Sequence, residues 1–176
     1  LKQKGDYIIL NATDNGKSKD NVTVIIKDGN KSYTLSELTK SQKYLLDLAR
    51  FNGKWYIAVG SSEDQRVYIY VDPFNDLKRN DGYKAAPNVL LRLNQPLEYL
   101  SFSANARFIA VQGGSNFAVY DSENKRQFRY DTNISIEKGQ EATWIDGHRL
   151  NLISDKKLVI FDFDGTNIQT LLGVSS

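Results

Sequence analysis

Apolar runs of at most about six residues alternate with polar turns along the whole chain, a rhythm that predicts strands rather than helices. Fifteen segments qualify: 7–12, 22–27, 31–35, 44–51, 55–60, 66–71, 88–93, 99–102, 108–112, 117–121, 127–130, 142–145, 150–153, 158–163 and 168–172. Turn chemistry joins many of them. Asp28-Gly29, Asn52-Gly53, Gly113-Gly114, Asp146-Gly147 and Asp164-Gly165 supply residues that tolerate positive φ. Links this short predict antiparallel hairpins, because a parallel crossover needs about a dozen residues or more. An α/β fold is therefore disfavoured.

Two segments carry a helical spacing instead. In TLSELTKSQKYLLDLA, residues 34–49, Leu35, Leu38, Gln42, Leu45 and Ala49 fall near one helical face, so a turn or two of helix before Tyr44 competes with the strand reading. Residues 72–87 start with Asp72 as a candidate N-cap and Pro73 at the first helical position. A short surface helix is expected there, in the longest insertion of the chain.

Strands such as WYIAV and KLVIFDF are nearly continuously apolar, which predicts sheets covered on both faces. A two-layer sandwich would alternate more often, whereas the radially stacked sheets of a β-propeller cover both faces of each blade. Repeats agree with the second arrangement. LSFSANARF at 100–108 matches ATWIDGHRL at 142–150 in spacing, an offset of 42 residues, and FAVYD at 117–121 matches LVIFD at 158–162 after a one-residue slip. KWYIAVGSSEDQRVYIY is a longer third copy. A period of about 40 to 50 residues is that of a propeller blade.

The expected fold is all-β, a β-propeller of about four antiparallel four-stranded blades at 7–40, 44–94, 97–131 and 141–173. Together they make residues 1–176 one propeller domain or a fragment of one. The first blade shows three strands where the others show four, the mark that a truncation would leave. Four blades is the lower limit for a closed ring, and no spare terminal strand is visible to close one. An open arc, or a fragment of a larger propeller, is expected. Such an arc would leave an apolar blade face exposed and so favour self-association.

Composition narrows the function. At 176 residues and 40% hydrophobic the chain supports a real core, and ten Tyr, eight Phe and two Trp lean toward strands. The net charge is +2, with Lys and Arg dispersed rather than clustered, so no nucleic-acid or membrane-surface footprint is present. The absence of Cys removes disulfides, zinc thiolates and thiol nucleophiles, and assigns no compartment. Apolar runs of about six residues are far short of the roughly 20 that cross a bilayer. There is no Met, even at position 1, so the segment is expected to be an excerpt from a longer protein.

Chemistry-bearing motifs are sparse. QGGSNF around Ser115 lacks the second glycine and the strand-to-helix context of a nucleophile elbow, so Ser115 is expected to be a hairpin-turn residue. His148 is the single histidine, which excludes paired-His metal sites, and it is expected in a solvated turn. DFDGTN at 162–167 lacks the remaining ligands of a helix-loop-helix calcium site and reads as a turn. NATDNGKSKD at 11–20 could offer oxygens of Asn11, Thr13, Asn15 and Gly16 to a hard cation, but a polar hairpin tip explains it, and its GKS is no phosphate loop. Four Asn-x-Ser/Thr sequons, at Asn11, Asn21, Asn30 and Asn133, are expected by chance in an Asn-rich chain. No catalytic, cofactor-binding or metal-ligating residue is expected, and no cofactor. The candidate interaction surface is the insertion, where Phe74, Lys78, Arg79, Tyr83 and Lys84 mix aromatic with basic side chains.

RFIAVQGGSNFAVYD and WIDGHRLNLISDKKLVIFDFDGTNIQTLL resemble blades of tryptophan-aspartate-repeat (WD40-like) and TolB-like β-propellers, in which Tyr-Asp or Phe-Asp-x-Asp-Gly ends the third strand. YLLDLARFNGKWYIAVGSSEDQRVYIY, with WIDGHRL and FDFDGTN, is similar to the propeller portion of membrane-tethered PEGA-domain proteins of small-genome bacteria, over most of residues 44–172. That resemblance implies a membrane helix and a PEGA module upstream, with the propeller outside the cytoplasmic membrane. It carries over no catalytic residue.

The expected function is a non-enzymatic protein-interaction scaffold that binds unidentified protein partners through loops at its blade edges. It would touch a membrane only through the missing upstream segment, and would be extracytoplasmic and tethered in the full-length protein. Two readings from other classes stand beside it. One is a propeller appended to a hydrolase or peptidase, gating substrate access, and the other an extracytoplasmic ligand or cation sensor using the tip at 11–20.

Overall fold

The computed structural model describes residues 2–4, 8–79 and 85–171. These residues form sixteen strands and one helix. The first sheet holds β1 (Lys2–Lys4), β2 (Ile8–Thr13), β3 (Asn21–Asp28) and β4 (Lys31–Thr39). The second holds β5 (Tyr44–Phe51), β6 (Lys54–Ser61), β7 (Arg66–Val71) and β8 (Val89–Arg92), with α1 (Phe74–Arg79) between its last two strands. The third holds β9 (Tyr99–Phe102), β10 (Phe108–Gly113), β11 (Asn116–Asp121) and β12 (Arg126–Asp131). The fourth holds β13 (Thr143–Trp144), β14 (Arg149–Ser154), β15 (Lys157–Asp162) and β16 (Gln169–Leu171). In each sheet the strands lie in sequence order with antiparallel neighbours. The chain is thus nearly all-β, built as four four-stranded antiparallel blades of the propeller type.

Two expectations are corrected. The first blade has a fourth strand: β1 pairs with β2 through Lys2↔Leu10, Gln3↔Ile9 and Lys4↔Ile8. Its sequence, KQK, has no apolar position, so pattern alone does not reveal it. Residues 34–49 contain no helix, since β4 and β5 occupy them. The i, i+3 spacing of Leu35 and Leu38 comes from a β-bulge: Val24 pairs with Ser36 and Ile25 with Thr34, leaving Leu35 unpaired and breaking the period of two. Leu35 and Leu38 are both buried as a result.

The chain divides into two compact units, Leu1–Arg92 and Leu93–Ser176, each with two sheets. In the first, alternation along β3 turns Val22, Val24 and Ile26 inward. They join Ile8, Leu10 and Leu35, which pack with Leu48, Ile57, Val59 and Tyr70 of the second sheet. In the second unit, Phe108, Ala110, Phe117 and Val119 of the third sheet pack with Leu150, Leu152, Val159 and Phe161 of the fourth. Aromatic rings bind that seam: Phe163 stacks on Phe108 at 4.2 Å, and Phe117 meets Phe161 edge-on at 5.2 Å. Every residue of β10 is buried, so both of its faces are covered, as the apolar run at 108–111 requires.

Candidate functional site

The insertion between β7 and β8 is the surface that the sequence singles out, and it is held at both ends. Asp72, at a φ of 44°, donates its amide to the Trp55 carbonyl at 2.8 Å and accepts the Trp55 amide on Oδ1 at 2.8 Å. Its carboxylate is thereby committed to the edge of β6 instead of the expected helix cap. At the other end, Asn88 Oδ1 accepts the Val71 amide at 2.8 Å, and the Asn88 amide donates to Ile69.

Between these anchors α1 forms as expected, one residue past Pro73, whose carbonyl accepts the Leu77 amide at 3.0 Å. Leu77 is buried in the core of the first unit, and half-buried Phe74 packs against the same cluster. Lys78 pairs with Asp28, in the β3–β4 hairpin, at 3.1 Å, and its ammonium lies 5.7 Å from the centre of the Phe74 ring. Arg79 is exposed. The candidate residues are therefore a mixed set: Phe74 and Lys78 serve partly to seat the helix, and Arg79 projects to solvent. Tyr83 and Lys84 lie outside the described residues.

The other polar motifs close turns. Ser115 sits in the β10–β11 turn, where its carbonyl accepts the amide and hydroxyl of Thr132 at 2.9 and 3.0 Å. In the segment 11–20, Asp14 accepts the Gly16 amide, Asn15 the Lys17 amide and Ser18 the Asp20 and Asn21 amides. The Gly16 amide, aided by Lys40 at 3.0 Å, holds the Asp14 carboxyl below its ordinary range. Asp164 accepts the amide and hydroxyl of Thr166, and Asp162 accepts the Asn167 side-chain amide. The Asp14, Asn15 and Asp164 bonds to backbone amides are Asx turns, and those to Ser18 their serine counterpart, in which a side-chain oxygen substitutes for a backbone acceptor.

The arginines of the matched repeats, Arg107 and Arg149, do different work. Arg149 stays local, donating to Asp146 at 2.8 Å in its own turn. Asp146 also accepts the His148 and Arg149 amides, and these bonds, that from His148 foremost, bring its pKa down to about 2. His148 is exposed in that turn, as expected, with Nδ1 at 3.3 Å from Asp146. Arg107 instead reaches Asp121 at the end of β11, through Nε at 3.0 Å and an Nη at 2.9 Å, and also pairs with Glu123 at 2.7 Å. Asp121 is 2% exposed. Burial disfavours its charge, but the bonds from Arg107 and Asn124 outweigh burial and lower its pKa to about 2.

Gln112 is a buried polar residue to which the sequence drew no notice. Its amide nitrogen donates to the carbonyls of Gly114 and Gln140 at 3.2 and 3.0 Å, and its oxygen accepts the Ala142 amide at 2.8 Å. It tethers the approach to β13 onto β10. The one signal in the sequence was a glutamine closing an otherwise apolar strand. Among the described residues, no group of three or more His, Cys, Asp or Glu is placed to hold a metal ion.

No family model matches the chain, and no curated protein matches it. Solved structures do. Hsv2 of Kluyveromyces lactis is 16% identical over 86% of this chain and 49% of its own, with a TM-score of 0.45. The same protein with a complete loop 6CD is 14% identical over 86% of this chain and 48% of its own, with a TM-score of 0.46. The chain spans about half the length of these structures, 48% and 49%.

Proposed function

We propose that this chain is a non-enzymatic interaction scaffold that binds a protein partner through a loop at a blade edge. The observation that carries the reading is the seating of α1. A surface helix fixed by Leu77 in the core, by the Lys78–Asp28 pair and by hydrogen bonds at Asp72 and Asn88 loses little conformational entropy on binding. It presents exposed Arg79 and half-buried Phe74, and aromatic and arginine side chains are the residue types that anchor protein interfaces.

The test is site-directed photo-crosslinking of the native, full-length protein in its own cells. A photoreactive residue at position 79 should give a discrete adduct that one at exposed Lys125, on the β11–β12 turn, does not. Equal labelling from the two positions would remove α1 as the binding surface.

The finer reading places the scaffold with WD40-like and TolB-like propellers, as the propeller part of a bacterial PEGA-domain protein tethered outside the cytoplasmic membrane. Its support is the resemblance over residues 44–172. Reading the gene on both sides of this segment tests it: an upstream membrane helix and PEGA module are expected, and a catalytic hydrolase domain in their place would overturn it.

A further inference from the structure

The two faces of each blade have distinct roles. The hairpins β10–β11 and β14–β15 both close with two-residue turns, after Gly113↔Asn116 and Ser154↔Lys157. Counted back from those pairs, Phe108, Ala110, Phe117 and Val119 occupy the positions of Arg149, Asn151, Leu158 and Ile160. The first four form the face that the fourth sheet covers. Their counterparts lie on the opposite face of the fourth sheet from Leu150, Leu152, Val159 and Phe161. On that opposite face Ile153 is 54% exposed, Leu171 45% and Ile145 43%. Natural monomers seldom leave several large aliphatic side chains together in solvent.

The first unit uses the same polarity. Counted from Ser61↔Arg66, the residues Ile57, Val59 and Tyr70 of the second sheet occupy the positions of Leu150, Leu152 and Phe161. They cover Ile8, Leu10, Val24 and Ile26 of the first sheet. In both units, then, the earlier sheet offers one class of face and the later sheet covers it with the other. The remaining face of the first sheet belongs to the covering class. It carries Ile9, Asn11, Thr13, Ile25 and Lys27 around a depression of about 380 Å³.

We propose that the exposed face of the fourth sheet docks against this face of the first sheet in a second copy of the chain, head to tail, with Ile153 entering the depression. The occupant is a second copy because the chain itself carries a face of the required class, with a recess at its centre to meet a protruding aliphatic side chain. A like-on-like contact between two fourth sheets would pair faces of the same class, which neither unit does. This inference stands apart from the scaffold reading, since it uses neither α1 nor the loops.

Strand spacing and rise give each face only about 300–400 Å², under half of the roughly 800 Å² per partner in a standard interface, so the association is weak. The contact is heterologous, so a dimer still has one free face of each class, and a third copy can add.

The test is sedimentation velocity on the purified 176-residue chain, from about 10 µM to about 1 mM, the range in which contacts of this size are populated. The weight-average sedimentation coefficient should rise with concentration. Ile153→Lys, which puts a charge on the knob, and Asn11→Arg, which fills the depression, should each weaken self-association by about tenfold or more. Mixed together, they should form a one-to-one complex through their intact faces. A wild-type chain that stays monomeric at the top of the range overturns the proposal, as does Ile153→Lys associating like wild type. A mixture that stays monomeric while wild type associates also overturns it. Leu171→Lys probes the same face if circular dichroism shows that Ile153→Lys has lost its fold.

Discussion

The ring of Tyr130 lies against the backbone of Gly165, so close that a Cβ at position 165 would stand 2.5 Å from Tyr130 Cδ2. Gly165 closes the turn after β15 at a φ of +81°, in the left-handed region. Two independent penalties therefore fall on Gly165→Ala: backbone strain of about 1 kcal/mol and a steric clash with a ring that is packed on its far side. We expect a loss of about 2–4 kcal/mol in urea denaturation. Gly29→Ala, at a φ of +61° with nothing within 4 Å, should lose only the strain, about 1 kcal/mol. Equal losses at the two sites would mean that the Tyr130 ring moves aside freely.

The Tyr130 hydroxyl is buried with no hydrogen-bond partner among the described residues, and burial pushes its pKa up. Its ring stacks on Phe117 at 5.6 Å, a contact that phenylalanine would keep. Removing an unsatisfied buried hydroxyl while preserving shape should be neutral or stabilising, so Tyr130→Phe is expected to raise Tm by about 0–3 °C. A fall of several degrees would show that the hydroxyl has a partner.

Asp121 makes stability depend on pH in acid. Its pKa is lowered in the folded chain from 3.8 to about 2, so its contribution is complete above pH 4 and disappears as the pH falls from about 4 to about 2. The contribution is on the order of 1 kcal/mol after allowance for solvent screening. Asp121→Asn should flatten that part of the stability–pH profile. Arg107→Ala should be worse at neutral pH, by about 2–4 kcal/mol, because it leaves a 2%-exposed carboxylate without its main partner.

Gln112→Ala should cost about 2–3 kcal/mol, since it strands the Ala142 amide and the Gln140 carbonyl. Native-state hydrogen exchange at Ala142 is the sharper readout: its amide should exchange faster in the variant, while that of Val119, inside the β10–β11 ladder, should change only with global stability.

Much of this architecture was legible in the chain itself. Each expected strand has its counterpart, and the short insertion helix forms where Pro73 suggested. What failed did so for identifiable reasons. The polar strand β1 is defined by its pairing with β2 and by nothing in KQK. The bulge at Leu35 converted a period of two into an i, i+3 spacing that imitates a helix. The site was less legible than the fold, because an aromatic-and-basic composition does not distinguish a side chain that seats a helix, such as Lys78, from one left open, such as Arg79.

The sequence by itself determined every described strand but β1, with the turns and antiparallel order, because alternation, run length and Asn-Gly or Asp-Gly chemistry act over a few neighbouring residues. Tertiary structure alone decided which face of each sheet is covered and what each polar group is for. Arg107 and Arg149 follow similar turns in matched repeats, yet one reaches across to a buried carboxylate and the other folds back on its own turn. Their roles depend on partners brought near by sheet register and on the water that packing removes, and neither is written in local spacing.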